Sequence, residues 1–143
     1  MRKTALLAAA FVVALLGSAA SGSAAALVAT VDVANQRMTV TKHGQVIYEW
    51  KVSTAARGYI TPRGEWRPYR MHTMWRSIKY DNAPMPYAVF YHGGYAIHGT
   101  TSVGRLGTPA SHGCVRLLTA NAQKFFNLVK EVGPGNTRVI VTN

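Results

Sequence analysis

The chain is poor in cysteine, in acid and in long apolar runs. Its single cysteine, Cys114, excludes an internal disulfide framework and any zinc site built on two or four cysteines. Five acids (Asp32, Glu49, Glu65, Asp81 and Glu131) stand against 16 lysines and arginines, a formal net charge of +11. Few carboxylates are therefore available to orient or exchange protons. The longest apolar run, Ala5–Leu16, has 12 residues. A membrane-spanning helix needs about 20, so no stable membrane anchor is expected. At 143 residues there is room for one ordinary domain, and none for a large cofactor domain beside it. Hydrophobic residues make up 48%, which excludes a disordered chain.

The first segment reads as an export signal. Met1-Arg2-Lys3-Thr4 is a basic start, Ala5–Leu16 an apolar centre, and Gly17–Ala26 a stretch of small residues. That order is that of a secretory signal peptide. Ala24-Ala25-Ala26 offers a cleavage site, giving a signal over residues 1–26 and a mature domain over residues 27–143. The expected location is outside the cytoplasm, in a periplasm or cell wall. A basic exported protein can meet nucleic acid, anionic lipid or an acidic wall polymer. Export makes nucleic acid the poorest of these partners.

The mature part reads as mainly β. Val31 and Val33, Met38 and Val40, and Val46, Tyr48 and Trp50 alternate with polar or outward residues. Asn35-Gln36 and His43-Gly44 break the runs, which predicts a three-strand meander over residues 27–52. Residues 57–79 carry six cations, the single acid Glu65 and four large aromatics. They read as a basic, aromatic-rich loop segment with short strands, facing either a ligand or the core. Residues 86–90 and 95–98 flank His92-Gly93-Gly94 as a hairpin. One helix is predicted over Thr119–Val132, capped by Thr119, with Ala122, Phe125, Phe126, Val129 and Val132 as its apolar stripe. Gly133-Pro134-Gly135 ends it and residues 138–141 return as a strand.

The chemistry concentrates in His98-Gly99-Thr100-Thr101 and Ser111-His112-Gly113-Cys114-Val115-Arg116-Leu117. An exported thiol without an intrachain partner faces oxidation, so its retention points to a use as nucleophile. The alternative is a small buried apolar residue. A thiol is mostly protonated at neutral pH, and a nearby imidazole can take its proton and return it to a leaving amine. His98 and His112 are the candidates, with His98 favoured as base and His112 shaping the site. His43, His72 and His92 read as surface histidines. No acid adjoins either motif, although Asp81 could reach in through the fold. A backbone carbonyl, naturally that of Gly99, can orient the imidazole instead. Gly113 allows a tight turn whose N–H groups could face a developing oxyanion. Arg116 either binds a substrate carboxylate or ties down a loop carbonyl. Zinc held by His92, His98, His112 and Cys114 is the rival chemistry, but the spacings match no usual zinc motif.

Ile97-His98-Gly99-Thr100 and Ser111-His112-Gly113-Cys114-Val115-Arg116-Leu117, with 15 residues between His98 and Cys114, resemble the catalytic domain of L,D-transpeptidases, the YkuD-type domain. The resemblance extends to Gln36-Arg37-Met38, Thr61-Pro62-Arg63-Gly64, and Met85-Pro86-Tyr87 through Gly93-Gly94-Tyr95, and so over nearly the whole mature chain. With no wall-binding module in view, the chain reads as a minimal version. The resemblance implies a β-sandwich-like fold with one short helix beside the catalytic cleft. It implies Cys114 as nucleophile, His98 as base, and Gly99, His112 and Gly113 as orienting and oxyanion residues. Arg116, Ser111 and Tyr91 are the expected substrate contacts, with no metal and no cofactor. The implied substrates are peptidoglycan stem peptides, possible acceptors including a wall-attached protein, and the implied inhibitors are β-lactams, chiefly carbapenems. Water as acceptor would give an L,D-carboxypeptidase. A non-catalytic peptidoglycan-binding module is the remaining alternative.

Overall fold

A computed structural model of the chain describes residues 24–143. The expected signal segment therefore lies, except for Ala24–Ala26, outside the described residues. Strands β1 (Leu27–Asp32), β2 (Arg37–Lys42) and β3 (Gln45–Lys51) form the meander that the alternation predicts, each pair antiparallel. Leu27, Ala29 and Val31 of β1 and Met38 and Val40 of β2 are fully buried. The alternation expected of β3 holds at one end only. Trp50 is buried, Tyr48 half-buried and Val46 61% exposed. β3 is the edge of its sheet, and its register against β2 shifts between Val40 and Thr41. Past that shift Val46 pairs with Thr41, the neighbour of core-facing Val40, and so falls on the face turned away from the core.

Two more strands complete this sheet. The short β4 (Gly64–Trp66) and, numbered last in the chain, β9 (Thr137–Thr142) give the order β3-β2-β1-β9-β4, with β1 and β9 parallel. The second sheet holds β5 (Arg70–Ser77), β6 (Ala83–His92), β7 (Tyr95–Thr100) and β8 (Val115–Leu118) in chain order. Its β7–β8 pair is parallel and the others antiparallel. The segment expected as a loop with short strands thus contains an eight-residue strand, β5. Its pattern escaped recognition because none of its eight residues is fully buried, so no clean inward face marks it. Asp81 and Asn82, at φ 52° and 57°, turn the hairpin tip after a single 3₁₀ turn. Asp and Asn tolerate that left-handed conformation better than most residues.

Helix α1 (Thr119–Val132) spans the predicted residues and lies against β6 and β7. Ala122, Phe125, Phe126 and Val129 bury its stripe, while Val132 is half-buried. Each large apolar side chain so buried contributes roughly 1.5–3 kcal/mol. Thr119 is not the cap. β8 runs straight into the helix, leaving Leu118 at the cap position with no side-chain bond. The Thr119 hydroxyl instead donates to the Thr100 carbonyl at 3.3 Å, tying the helix start to β7. Gly133, at φ 90°, ends the helix with its N–H on the Val129 carbonyl at 2.8 Å. One core cluster joins β1, β2, β3, β6, β7, β8, β9 and α1. A smaller one, Met85, Ala88, Phe90 and Ala96, has Trp75 and Cys114 packed against it, and forms the floor of the site.

Candidate active site

The parallel β7–β8 pair brings the two sequence motifs together. Ile97 faces Val115 and His98 faces Arg116 in its register. Side chains alternate along strands, so His98 and Arg116 share a sheet face, with Cys114 two residues before Arg116. All three line one cleft of about 790 Å³. The β5–β6 hairpin supplies its other wall through Arg70, Trp75 and Tyr80.

His98 is 6% exposed. Its Nδ1 stands 2.7 Å from the Gly99 carbonyl. A carbonyl only accepts, so Nδ1 carries the proton and donates it, and Nε2 keeps its lone pair. Burial pushes the ring pKa down to about 4; the Gly99 carbonyl opposes this and the Arg116 guanidinium adds to it. The ring is therefore neutral at pH 7. Burial pushes the Cys114 thiol up, with the Ala96 N–H and Arg116 pulling partly back. The sulfur lies 3.9 Å from the Gly94 carbonyl. The cleft at rest thus holds both a neutral thiol and a neutral imidazole. Asp81 does reach the cleft wall, but the bond that orients the ring is the Gly99 carbonyl's.

A buried polar network shapes the turn before Cys114. Gly113 sits at φ 133°, and a Cβ there would stand 2.5 Å from Tyr95 Cε1 and 2.8 Å from the Ile60 carbonyl oxygen. Only glycine fits. The Ser111 hydroxyl donates to the Cys114 carbonyl at 2.6 Å and accepts from the Gly113 N–H at 3.0 Å. Gly113's N–H is thus committed inside the turn, and the expectation that it faces an oxyanion is corrected. Its part is to give the backbone its shape. Ser111 is fully buried and absent from the cleft wall, so it organises the turn instead of touching a substrate. Tyr91, expected as a substrate contact, is likewise misplaced. Its ring is 2% exposed in the main core, with its hydroxyl buried and unpartnered. It is a large aromatic on a strand that turns its other face to the cleft.

Sequence reasoning missed the part played by the residues supporting this turn, although Gln36 and Thr61 lie in segments that carry the resemblance. The Thr61 hydroxyl donates to the Gly113 carbonyl at 2.8 Å and accepts from the Ala55 N–H at 3.0 Å. The Thr54 carbonyl accepts from the N–H groups of Ala110 and Ser111, both at 2.9 Å. Gln36, 4% exposed, clamps Thr54 in turn: its Oε1 accepts from the Thr54 N–H at 3.0 Å and its Nε2 donates to the Thr54 hydroxyl at 2.6 Å. These partners are separated by up to 52 residues, beyond the reach of any local pattern. Burial of fully satisfied polar groups gives such networks their rigidity.

The histidines divide. His112 stacks on Tyr80 at 4.1 Å and against Tyr59 at 4.6 Å, forming part of the cleft wall. His92 is exposed and stacks on Trp66 at 4.7 Å, and His43 is exposed in its turn. His72 is not a plain surface residue: it is half-buried beside Trp75, with Nε2 buried and unpartnered. Among the described residues, no three of His, Cys, Asp and Glu cluster closely enough to hold a metal ion. None of their helices is long and apolar enough to cross a membrane.

The model of the YkuD family, the L,D-transpeptidase catalytic domain, matches residues 27–141. An L,D-transpeptidase from Mycobacterium smegmatis has a similar fold, with TM-score 0.74 and 23% identity over 82% of this chain and 59% of that one. One from Stackebrandtia nassauensis gives TM-score 0.73 and 27% identity over 90% and 62%. L,D-transpeptidase 3 from Mycobacterium tuberculosis, solved with a faropenem-derived adduct, gives 0.71 and 21% over 82% and 60%. The chain spans about three-fifths of the length of these solved relatives. No curated protein sequence matches it.

Proposed function

Since this chain belongs to the L,D-transpeptidase catalytic-domain family, we propose that it is an exported cysteine enzyme acting on peptidoglycan stem peptides. Cys114 attacks the carbonyl joining the diamino acid of a stem tetrapeptide to its terminal D-Ala. His98 Nε2 takes the thiol proton as the S–C bond forms, because the resting thiol is not ionised. The same proton passes to the D-Ala nitrogen as the C–N bond breaks, leaving a thioester on Cys114 and a neutral His98. An amine of a second stem peptide, or of a wall-attached protein, then attacks the thioester and gives its proton to His98, and the thiol is restored. Water in place of the amine gives an L,D-carboxypeptidase. With the Gly113 N–H engaged by Ser111, the N–H groups of His112 and Cys114 are the turn's remaining donors for the oxyanion.

The observation that carries this reading is the His98 tautomer. The Gly99 carbonyl fixes the proton on Nδ1, so a buried, neutral imidazole offers Nε2 to the cleft that also holds the cysteine. Export is supported by the basic, apolar and small-residue order of residues 1–26, and a periplasm or wall is where such a substrate lies. The imipenem complex of LdtMt1 and the faropenem adduct of the M. tuberculosis enzyme support β-lactams as acylators of Cys114. The test is intact-mass spectrometry after incubation with a disaccharide-tetrapeptide donor or a carbapenem. The expected result is one covalent adduct per chain and D-Ala release, both absent in Cys114→Ala. Undiminished D-Ala release by Cys114→Ala would end the proposal. Saturable binding to sacculi with no adduct would favour the non-catalytic wall-binding module.

A further inference from the structure

The segment Thr61-Pro62-Arg63-Gly64 lines no part of the cleft, yet one of its side chains ends on the peptide bond that enters Cys114. Thr61 is 1% exposed. Its hydroxyl accepts from the Ala55 N–H at 3.0 Å and donates to the Gly113 carbonyl at 2.8 Å. The first bond decides the second: with a lone pair facing the Ala55 N–H, the hydroxyl hydrogen is directed to Gly113. The side chain is itself held in place. A β-branched residue is stiff at χ1, and Pro62 biases Thr61 towards extended backbone. Arg63 donates from one terminal nitrogen to the Thr61 carbonyl at 2.6 Å. Its Nε and other terminal nitrogen donate to Asn143 Oδ1 at 2.9 and 2.7 Å.

A trans peptide unit is planar, and its C=O and N–H point in opposite directions. The Gly113 carbonyl and the Cys114 N–H belong to one such unit, and every peptide bond among the described residues is trans. A hydroxyl that holds the carbonyl therefore sets the direction of the N–H. The carbonyl points at a buried residue outside the cleft lining, and the N–H points away from it. No acceptor among the described residues takes that N–H. The unit hangs on the ψ torsion of Gly113, which glycine leaves soft, so its tilt needs an external hold. Ser111 does not supply it: its bonds go to the Gly113 N–H and the Cys114 carbonyl, which belong to the units on either side.

We propose that Thr61 is a positioning residue for acyl transfer: through the Gly113–Cys114 peptide plane it aims the Cys114 N–H at the oxygen of the carbonyl under attack. This deepens the proposed function and rests on it. As the S–C bond forms, the π electrons of the carbonyl move onto its oxygen, which stays an anion until the C–N bond breaks. A donor aimed beforehand stabilises that charge without reorganising. The thiol and the imidazole gain nothing from it, so Thr61 acts on the oxyanion and leaves the nucleophile as it is.

The test sets two reactions of the same sulfur against each other. A carbapenem acylates Cys114 through an oxyanion, the lactam C–N bond opening and its nitrogen taking the proton from His98. Iodoacetamide alkylates Cys114 as its C–I bond breaks, with iodide leaving, the thiol proton going to His98 and no oxyanion formed. Both adducts are followed by intact mass in the wild type, Thr61→Val, Thr61→Ala and Thr61→Ser. Thr61→Val keeps the shape and removes the hydroxyl, and its ratio of acylation to alkylation rate should fall about 10- to 100-fold, short of deleting an oxyanion donor outright. With a tetrapeptide donor its kcat should fall by the same factor while KM stays within about twofold, since the lost bond counts only in the transition state. Thr61→Ser retains the hydroxyl and should bring the ratio back to within about threefold of the wild type. Thr61→Ala leaves space for a water in place of the hydroxyl and should lower the ratio at least about threefold, so it reads the same effect if Thr61→Val does not fold. An unchanged ratio in Thr61→Val and Thr61→Ala would overturn the assignment. So would an equal loss of both reactions, which would mean that Thr61 merely holds the thiol. Alkylation of the wild type with no adduct from carbapenem or tetrapeptide would overturn the acyl-transfer reading itself, and this inference with it.

Discussion

Gly99→Ala places one methyl group where β7, α1 and β6 meet. The new Cβ would stand 2.8 Å from Thr119 Oγ1, 2.9 Å from Thr119 Cα and 3.1 Å from Pro86 Cγ. Carbon atoms pack comfortably at about 3.5–4.0 Å, so the backbone of β7 or the start of α1 must shift by at least about half an ångström. The Thr119 Cα belongs to the main chain and cannot rotate away. Overpacking of this kind costs on the order of 1–3 kcal/mol, a fall of roughly 5–10 °C in Tm for a domain of this size. The larger effect is on chemistry. The Gly99 carbonyl that moves is the one holding His98 Nδ1 at 2.7 Å. A misplacement approaching 1 Å costs on the order of 10²-fold in rate. Acylation of Cys114 by a carbapenem, followed by intact mass in a time course, should therefore slow about 10- to 100-fold. Gly104→Ala, whose Cβ meets nothing within 4 Å, should leave rate and Tm unchanged. If Gly99→Ala acylates at the wild-type rate with the same Tm, the close packing and the carbonyl's role are both wrong.

Other outcomes follow from the buried groups. With His98 neutral above about pH 4, acylation should rise through pH 4 and stay level from pH 6 to 8; a limb centred near 6.5 would refute the depressed value. Stability carries the same signature. Between about 4 and the unfolded value of 6.5 the unfolded chain binds more protons, so stability is full above pH 6.5 and falls as pH drops towards 4. The loss is roughly 3 kcal/mol, read as the difference in urea midpoints between the wild type and His98→Asn at pH 7 and pH 4. Ser111→Ala strips the buried Gly113 N–H and Cys114 carbonyl of their partner, and should cost about 2–4 kcal/mol in thermal unfolding with a slower adduct time course. No loss in either measurement would mean that water replaces the hydroxyl.

Local patterns carried the parts of the fold in which one face is buried. The alternation in β1 and β2 and the 3.6-residue stripe of α1 were legible because burial sorts polar from apolar residues at the period of the backbone. The strand β5 was not, since its residues are only half-buried or exposed and neither face is sealed. The same limit misplaced Tyr91 and Ser111. Their residue types suit a substrate contact, but the face each side chain takes depends on register, and a single step of register reverses it. Thr119 failed as a cap for a related reason, its hydroxyl having found a carbonyl on a neighbouring strand.

By itself, the sequence marked the pair proposed to react and its setting: one thiol, a histidine followed by glycine, and a glycine before the thiol, because those residue types have few other uses together. Tertiary structure alone decided the protonation state, the direction of each hydrogen bond and the distant supports. The β7–β8 register sets His98 opposite Arg116 and brings Cys114 into the same cleft, and burial holds both His98 and Cys114 neutral. Gln36, Thr54 and Thr61 reach the turn across tens of residues. Desolvation and long-range pairing arise only once the chain has closed on itself, so no stretch of sequence records them.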